Sequence, residues 1–502
     1  MKQLFGIKRM KIFWMVFGLC FLFVVLRFPS LFEPNWYGDE GIYQSIGFGL
    51  RSGRQFYTGV WDNKPPLLFV IYALAYGDQY LARLFSLIFG LGAVIAFYSL
   101  SKKIFVKNSL SQATSLFFVL FFGLPIIEGN IANSENFMLL PILVSANLLY
   151  PVLIHFSDPF VKKQKLYLFL AGIILSLSFL IKIVSVFDFA AFLTISFILF
   201  FYTKHISHQS VIKNTLVYIQ KIIWFIVGFL SPVGISIIYF NAIGVLTYYM
   251  DAAFGRNVDY VGWANYFIIP QGLLYIRILL LSVFLVALFY KRKSFSKETL
   301  FILIWLAFSM FNSYFSYRPY THYLLLLLPS ASLFVGLLVK SSDLSYKIKV
   351  FFIGFVIFLT AFSHFHYWSL QKTVSYYINY FHLVSGRIDF RTYQSFFDSR
   401  NPKDYVVASY IKSHTSPGDV IFLWGNSAQI YPLSKTLPPG RYSAAYHIGT
   451  NKKNVLETEV AIKNTRPKYI IITPDVEHFP FDLSEYTYTL TIEDAQIYER
   501  TF

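Results

Sequence analysis

The sequence predicts an α-helical polytopic membrane protein, with about eleven transmembrane helices within residues 1–368 and an extracytoplasmic α/β domain over residues 369–502. Three observations predict it. Of the 502 residues, 56% are hydrophobic and only 14% charged, more apolar surface than a water-soluble fold of this size can hide in a core. Between residues 11 and 368, apolar stretches recur at close to the ~20 residues that a helix needs to cross ~30 Å of hydrocarbon. After Trp368 the composition becomes that of a soluble unit.

The first apolar stretch, about Ile12 to Leu26, follows Lys8, Arg9 and Lys11, as the core of a secretory signal would. It is long, however, and leads into Arg27-Phe28-Pro29 instead of a small-residue cleavage site, so it reads as a retained anchor. The spans fall at approximately 11–28, 80–100, 112–127, 136–156, 166–182, 186–203, 218–240, 273–290, 299–316, 321–339 and 348–368. Lys102, Lys103 and Lys107, then Lys162, Lys163 and Lys165, Lys204 and Lys213, Lys291 to Lys293 with Lys297, and Lys347 with Lys349 all fall on the side of the N-terminus. Enrichment of Lys and Arg in cytoplasmic loops makes that side the cytoplasm and the chain a multi-pass protein of the plasma membrane. The net charge of +17 is accounted for in this way, and a nucleic-acid surface is not implied. Cys20, the single cysteine, lies within the first span, which excludes a disulfide framework or a cysteine metal site.

The opposite face carries residues 29–79, Glu128 to Glu135, residues 241–272, Tyr317 to Tyr320 and the tail. In the tail, helical patterns at 402–414 and 453–465 each precede an apolar run, Val420 to Trp424 and Tyr469 to Ile472. Two such units predict a small, partly parallel sheet. With no cysteine, this domain depends on its apolar core.

Candidate chemistry concentrates in the first outer loop, residues 29–79, which contains Trp36-Tyr37-Gly38-Asp39-Glu40-Gly41-Ile42-Tyr43 and Trp61-Asp62-Asn63-Lys64-Pro65-Pro66-Leu67. Adjacent carboxylates beside a membrane are costly unless solvated, paired or used. Asp39 is the candidate general base for an acceptor hydroxyl, against the alternative of a solvated turn. Glu40 is grouped with it, to orient the loop or a cation. Trp36, Tyr37, Tyr43 and Trp61, with Asp62, are candidate contacts for sugar or acceptor, the aromatics being equally suited to a membrane interface. Lys64, ahead of the rigid Pro65-Pro66 pair and an apolar run, either pairs with a lipid phosphate or reaches to the headgroups. Glu135, where the fourth span begins, either supports that helix N-terminus or supplies a second active-site carboxylate. Arg318 and His322 flank the entry to another span, where they either hold a departing phosphate or pair with lipid headgroups.

The order of Asp39-Glu40, Lys64-Pro65-Pro66-Leu67, Arg83, Ser134-Glu135 and Arg318-Pro319-Tyr320-Thr321-His322-Tyr323 resembles the C-type glycosyltransferase superfamily over roughly residues 11–368. Within it, the chain is similar to bacterial members of glycosyltransferase family 39, relatives of protein O-mannosyltransferases and of lipid A aminoarabinose transferase. The resemblance implies inverting transfer of a monosaccharide from a polyprenyl-phosphate donor to an extracytoplasmic hydroxyl or amine, with the first-loop aspartate as base and no nucleotide sugar. Two positions depart from it. Asn63 stands where aminoarabinose-transferase-like enzymes have a glutamate implicated in metal binding, and Gly41 where a basic residue often follows the acidic pair. A divalent metal and aminoarabinose specificity are therefore not carried over.

Three other readings share the topology. A secondary transporter would be expected to show an internal repeat, and none is seen. A lipid-linked glycan polymerase or ligase would differ in the length of the donor glycan, and a scaffold would give Asp39 and Lys64 no chemistry.

Overall fold

The computed structural model describes residues 2–158, 161–202, 208–257, 272–315, 320–340, 348 and 369–501. Helices α1 (Lys2–Arg27), α2 (Gly38–Arg51), α3 (Pro66–Leu74), α4 (Gln79–Ile104), α5 (Asn108–Gly123), α6 (Ser134–Ile154), α7 (Lys162–Ile181), α8 (Val186–Phe200) and α9 (His208–Ala242) are followed by helices Gly272–Tyr290, Lys297–Ser313 and Leu324–Lys340. Ten of the eleven expected spans coincide with helices, and the eleventh, 348–368, falls outside the described residues apart from residue 348. Seven helical segments among the described residues are long and apolar enough to cross a membrane. Phe13, Trp14, Phe17 and Phe21 on α1, and Leu279, Leu280 and Val283 on Gly272–Tyr290, are exposed, as lipid-facing side chains must be. The protein is a polytopic membrane protein.

Close helix approach relies on small residues. A Cβ at Gly172 would meet the Phe225 carbonyl oxygen at 2.3 Å, and one at Gly228 the Phe169 oxygen at 2.2 Å, so α7 and α9 cross backbone to backbone. At the basic end of the bundle, cations satisfy helix-terminal carbonyls: Lys297 Nζ donates to Ile154 O at 2.5 Å, and Arg292 Nε donates to Phe201 O at 2.9 Å. These carbonyls lack intrahelical donors and lie at the negative end of the helix dipole. The lysine and arginine enrichment at this end thus has a packing role as well.

At the other end, α2 and α3 and the short turns beside them are held by a buried ion cluster. The Arg83 guanidinium, fully buried in α4, donates to Glu40 at 2.7 and 2.5 Å, pairs with Glu33 at 2.8 Å, and also donates to the carbonyls of Ser30 and Asn130. Glu40 also accepts from the Ala132 amide at 2.7 Å, and Glu33 from Asn130 Nδ2 at 2.9 Å and the Tyr376 hydroxyl at 2.6 Å. One arginine therefore joins the end of α1, α2, α4, the 124–133 loop and the tail.

The tail carries strands β1 (Phe422–Trp424), β2 (Tyr469–Ile472), β3 (Tyr486–Ile492) and β4 (Ala495–Arg500) in the order β1-β2-β4-β3. β1 and β2 are parallel, as the two helix-strand units predict, while β4 pairs antiparallel with both β2 and β3. Helices Asn401–His414 and Lys452–Thr465 precede β1 and β2 within a residue of expectation. One face of the sheet shares a core with the first loop and the end of α9: Phe422 and Trp424 of the tail, with Tyr442 and Ile448, cluster with Tyr57 and Trp61 of the first loop and with Phe240 and Tyr249. Arg54 donates to the carbonyls of Pro438 (2.5 Å) and Gly440 (2.8 Å), and Arg441 to that of Tyr57 (3.0 Å). A Cβ at Gly41 would meet Gln429 Oε1 at 2.5 Å, which explains why no longer side chain follows the acidic pair on α2.

Removing Arg83 would leave two buried carboxylates without their cation, a defect that costs about 3–5 kcal/mol. Arg83→Met is expected to lower the thermal unfolding midpoint in detergent sharply and reduce the yield of monodisperse protein. An unfolding midpoint equal to the native protein's would show that the cluster is dispensable.

Candidate active site

A cavity of about 700 Å³ lies between the first loop, the C-terminal end of α7, the N-terminal end of Leu324–Lys340, and the tail. Its lining includes Tyr37, Asp39, Trp61, Lys64 and Pro65 from the first loop, and Lys182, Arg256, Asn257, Tyr320 and His322 beyond it. The tail contributes Asn426, Tyr446, His447, Thr450 and Asn454.

Asp39 and Glu40 occupy the first turn of α2, where backbone N–H groups favour negative charge. Adjacent helical residues project about 100° apart. Glu40 therefore enters the Arg83 cluster while Asp39 lines the cavity. One turn further along, the Tyr43 hydroxyl donates to Asp39 Oδ2 at 3.1 Å, with Asn133 Oδ1 at 3.4 Å. Asp39 Oδ1 has no hydrogen-bond partner among the described residues. Burial acts to raise the Asp39 pKa, but the charges of Lys64, His322 and Lys182 and the Tyr43 hydrogen bond outweigh it and hold the carboxyl below its ordinary range. For Glu40 burial prevails over the pull of Arg83, and its pKa is raised.

Lys64 stands at the entry to α3, where Pro66 occupies a first-turn position that needs no N–H. Its ammonium lies 3.2 Å from Asp62 Oδ1 and 3.4 Å from Asn63 Oδ1, over the Tyr43 ring at 5.0 Å. The Tyr57 hydroxyl holds the Lys64 carbonyl at 3.0 Å, and Asn257 Nδ2 that of Asn63 at 2.8 Å. On the facing wall, His322 Nδ1 lies 2.9 Å from Glu128 and 3.1 Å from the Tyr37 hydroxyl, and Thr321 Oγ1 also donates to Glu128. Burial tends to raise the Glu128 pKa, yet its hydrogen bond with His322 and the charge of that residue bring it below the usual range.

Of the residues expected from sequence, Tyr37, Asp39, Trp61, Lys64, Pro65 and His322 line this one cavity. Glu40 and Asp62 are buried behind it, in the Arg83 cluster and against Lys64 respectively. Tyr43 supports Asp39 from below, and Pro66 opens α3. Trp36 donates to Glu33 at 2.8 Å and packs on Phe397, away from the lining. Glu135 is fully buried, accepting from Ser134 Oγ at 2.8 Å and from Lys182; the α6 N-cap is Asn133. Arg318 lies outside the described residues.

Sequence reasoning missed Lys182, Glu128 as the partner of His322, and the tail residues of the lining. Lys182 carried a signal, being a lone cation in the apolar run Phe179-Leu180-Ile181-Lys182-Ile183. The tail residues had none, because they reach the cavity only through tertiary docking. No group of three or more His, Cys, Asp or Glu residues arranged to hold a metal occurs among the described residues.

No family model and no curated protein matches the sequence. Among solved structures, that of ArnT from Cupriavidus metallidurans bound to undecaprenyl phosphate is similar at 12% identity with a TM-score of 0.50, covering 96% of this chain and 97% of that one. The chain has the ArnT fold. The apo state of the same ArnT is similar at 14% identity with a TM-score of 0.49, again over 96% of this chain and 97% of that one. The likeness is one of fold, and it covers nearly the whole of both chains.

Lys64 provides the largest force holding the Asp39 carboxyl ionised. Lys64→Ala is therefore expected to raise the Asp39 pKa. Carbodiimides react with the protonated carboxyl, so labelling of Asp39 near pH 5, read by peptide mass spectrometry, should increase in the variant. Equal labelling in the two proteins would show that Lys64 does not set the charge of Asp39.

Proposed function

We propose that the protein is a membrane glycosyltransferase that moves a monosaccharide from a polyprenyl-phosphate donor to an extracytoplasmic acceptor, with inversion at the anomeric carbon. The observation that carries this reading is Asp39, with one oxygen held by Tyr43 and the other unpaired among the described residues, in a cavity whose walls also bear Lys64 and Lys182. The undecaprenyl phosphate bound to the structurally similar ArnT supports a polyprenyl-linked partner. The loop charges support a cytoplasmic N-terminus and a tail outside the cell, which puts the cavity on the extracytoplasmic side. In this reading residues 1–368 are the transmembrane catalytic domain and residues 369–502 an extracytoplasmic domain over it.

The reaction balances as follows. The acceptor oxygen attacks the anomeric carbon, the bond from that carbon to the phosphate oxygen breaks, and the acceptor proton passes to Asp39. The donor phosphodiester carries one negative charge and the departing phosphate monoester two, so charge develops at the phosphate during the step. Cations positioned there stabilise the transition state more than the ground state. Lys64 and Lys182 fill this role, and Asp62 and Glu135 hold them in place. The pentose or hexose identity of the sugar is set by contacts that a bound donor would define.

Asp39→Asn keeps the size of the side chain and its bond to Tyr43 but accepts no proton. Turnover is expected to fall about 10²–10⁴-fold, the usual range for losing a general base, with undecaprenyl phosphate still bound. Lys64→Ala is expected to weaken that binding. The measurements are transfer from a panel of polyprenyl-phosphate sugars and lipid binding by native mass spectrometry. Turnover within a few-fold of the native rate in Asp39→Asn would remove this residue from the mechanism.

A further inference from the structure

Helix Ser369–Val384, at the start of the tail, turns its apolar side outward. Val374 is 61% exposed, Ile378 48%, Phe381 65% and Val384 66%, at spacings of four, three and three that set them along one side of the helix. Its polar groups point inward. The Tyr376 hydroxyl donates to Glu33 at 2.6 Å, the Tyr377 hydroxyl to the Leu26 carbonyl at 2.8 Å and Asn379 Nδ2 to the Tyr393 carbonyl at 3.3 Å, with Tyr376 and Asn379 buried. A surface helix of a water-soluble domain has the opposite arrangement, with its apolar stripe toward the core. Large apolar side chains exposed side by side mark a surface that another partner covers.

We propose that this face dips into the membrane interface and is covered by the acyl chains of the leaflet on the side of the candidate active site. Two observations select lipid as the occupant. The patch continues the lipid-facing side of α1, where Phe13, Phe17, Phe21 and Val25 recur every four residues and are exposed. Phe28 and Phe32 beyond them are exposed as well, and both rings pack on Tyr380, at 6.4 and 5.6 Å, beside Phe381. In addition, the apolar sequence 348–368 ends at the residue before this helix begins, so the chain enters the helix at the membrane boundary. The exposed row carries no charge, as contact with acyl chains in preference to headgroups requires. Gly386, in the left-handed region at φ 71°, then stops the helix and turns the chain away. Tyr376, on the inward side, joins the lipid-held helix to Glu33 and so to the Arg83 cluster that orients α2. This lipid contact is independent of the reaction proposed above.

The test uses the full-length chain in phosphatidylcholine nanodiscs, with Cys20→Ser removing its single cysteine. Val374→Cys, Ile378→Cys and Phe381→Cys are each spin-labelled, with Phe17→Cys as the lipid-facing reference and Lys463→Cys, on the exposed tail surface, as the aqueous one. Power saturation reads collisions with molecular oxygen, which concentrates in lipid, and with a water-soluble nickel chelate. These are exposed positions, so the replacements leave the core intact, and a monodisperse elution profile checks each variant. At all three positions oxygen access should exceed chelate access, as at Phe17→Cys and in reverse of Lys463→Cys. Dominant chelate access would place the face in water and overturn the proposal. Low access to both reagents would show the face covered by protein, whether by residues 349–368 or by a second copy of the chain, and would overturn it equally.

Discussion

The site depends on how one buried cation is neutralised. Arg83 lies in a helix that crosses the membrane, where an unpaired guanidinium is expensive, and it is stabilised only by drawing Glu33, Glu40 and the carbonyls of Ser30 and Asn130 around itself. Those partners come from the turn at 28–33, from α2 and from the 124–133 loop, which on their own would have no reason to converge. Once they do, α2 is fixed in rotation about its axis. That rotation decides that Asp39, and not its neighbour Glu40, reaches the cavity. A buried ion pair adds little net stability against a well-packed apolar core, so its value here is in specifying geometry.

The tail completes what this cluster begins. Tyr376 donates to Glu33, Gln429 fills the space over Gly41, and the cores of sheet and first loop are continuous. The first loop is therefore enclosed between the helix bundle and the tail, and the cavity is the space left between them. Polar side chains on its floor are held by long-range contacts, which gives the rigidity that positioned chemistry requires.

How much of this was legible follows from the range of the interactions. Helix positions were readable because lipid imposes length and apolarity locally, so ten expected spans coincide with helices. Parallel β1 and β2 were readable from two helix-strand units. The β3–β4 hairpin was not anticipated. Its strand Tyr486-Thr487-Tyr488-Thr489-Leu490-Thr491-Ile492 has the β-branched and aromatic character of a strand, but its turn is Glu493-Asp494 with Glu493 at φ 54° and no glycine to announce it. Asp39, Lys64 and His322, which line the candidate cavity, stand out in the sequence because charged and ring-nitrogen groups beside a membrane are uncommon. Trp36, by contrast, has the composition of a ligand contact and the position of a structural one, bonded to Glu33. The division between Asp39 and Glu40 depends on α2's rotation, and the tail's share of the cavity lining on docking across some 400 residues of chain. Neither is encoded in local pattern.

The charge arrangement also orders events at the proposed centre. In the empty cavity Lys64 lies close enough to Asp39 to be the strongest influence keeping it ionised, which makes the carboxylate a weak base. A donor phosphate that pairs with Lys64 introduces a negative charge and shares that ammonium. Both effects raise the affinity of Asp39 for a proton. In the proposed reaction the base would thus be strengthened by arrival of the group whose departure it assists, and a hydroxyl entering before the donor would meet a carboxylate poorly disposed to take its proton. After the proposed transfer, the phosphate would hold a second negative charge beside Lys64 and Lys182, with the proton on Asp39 next to it. Passing that proton to water restores the carboxylate, whose repulsion then favours release of the spent lipid. In the proposed mechanism one lysine, paired with Asp62 and seated over Tyr43, would thereby couple binding, proton transfer and release.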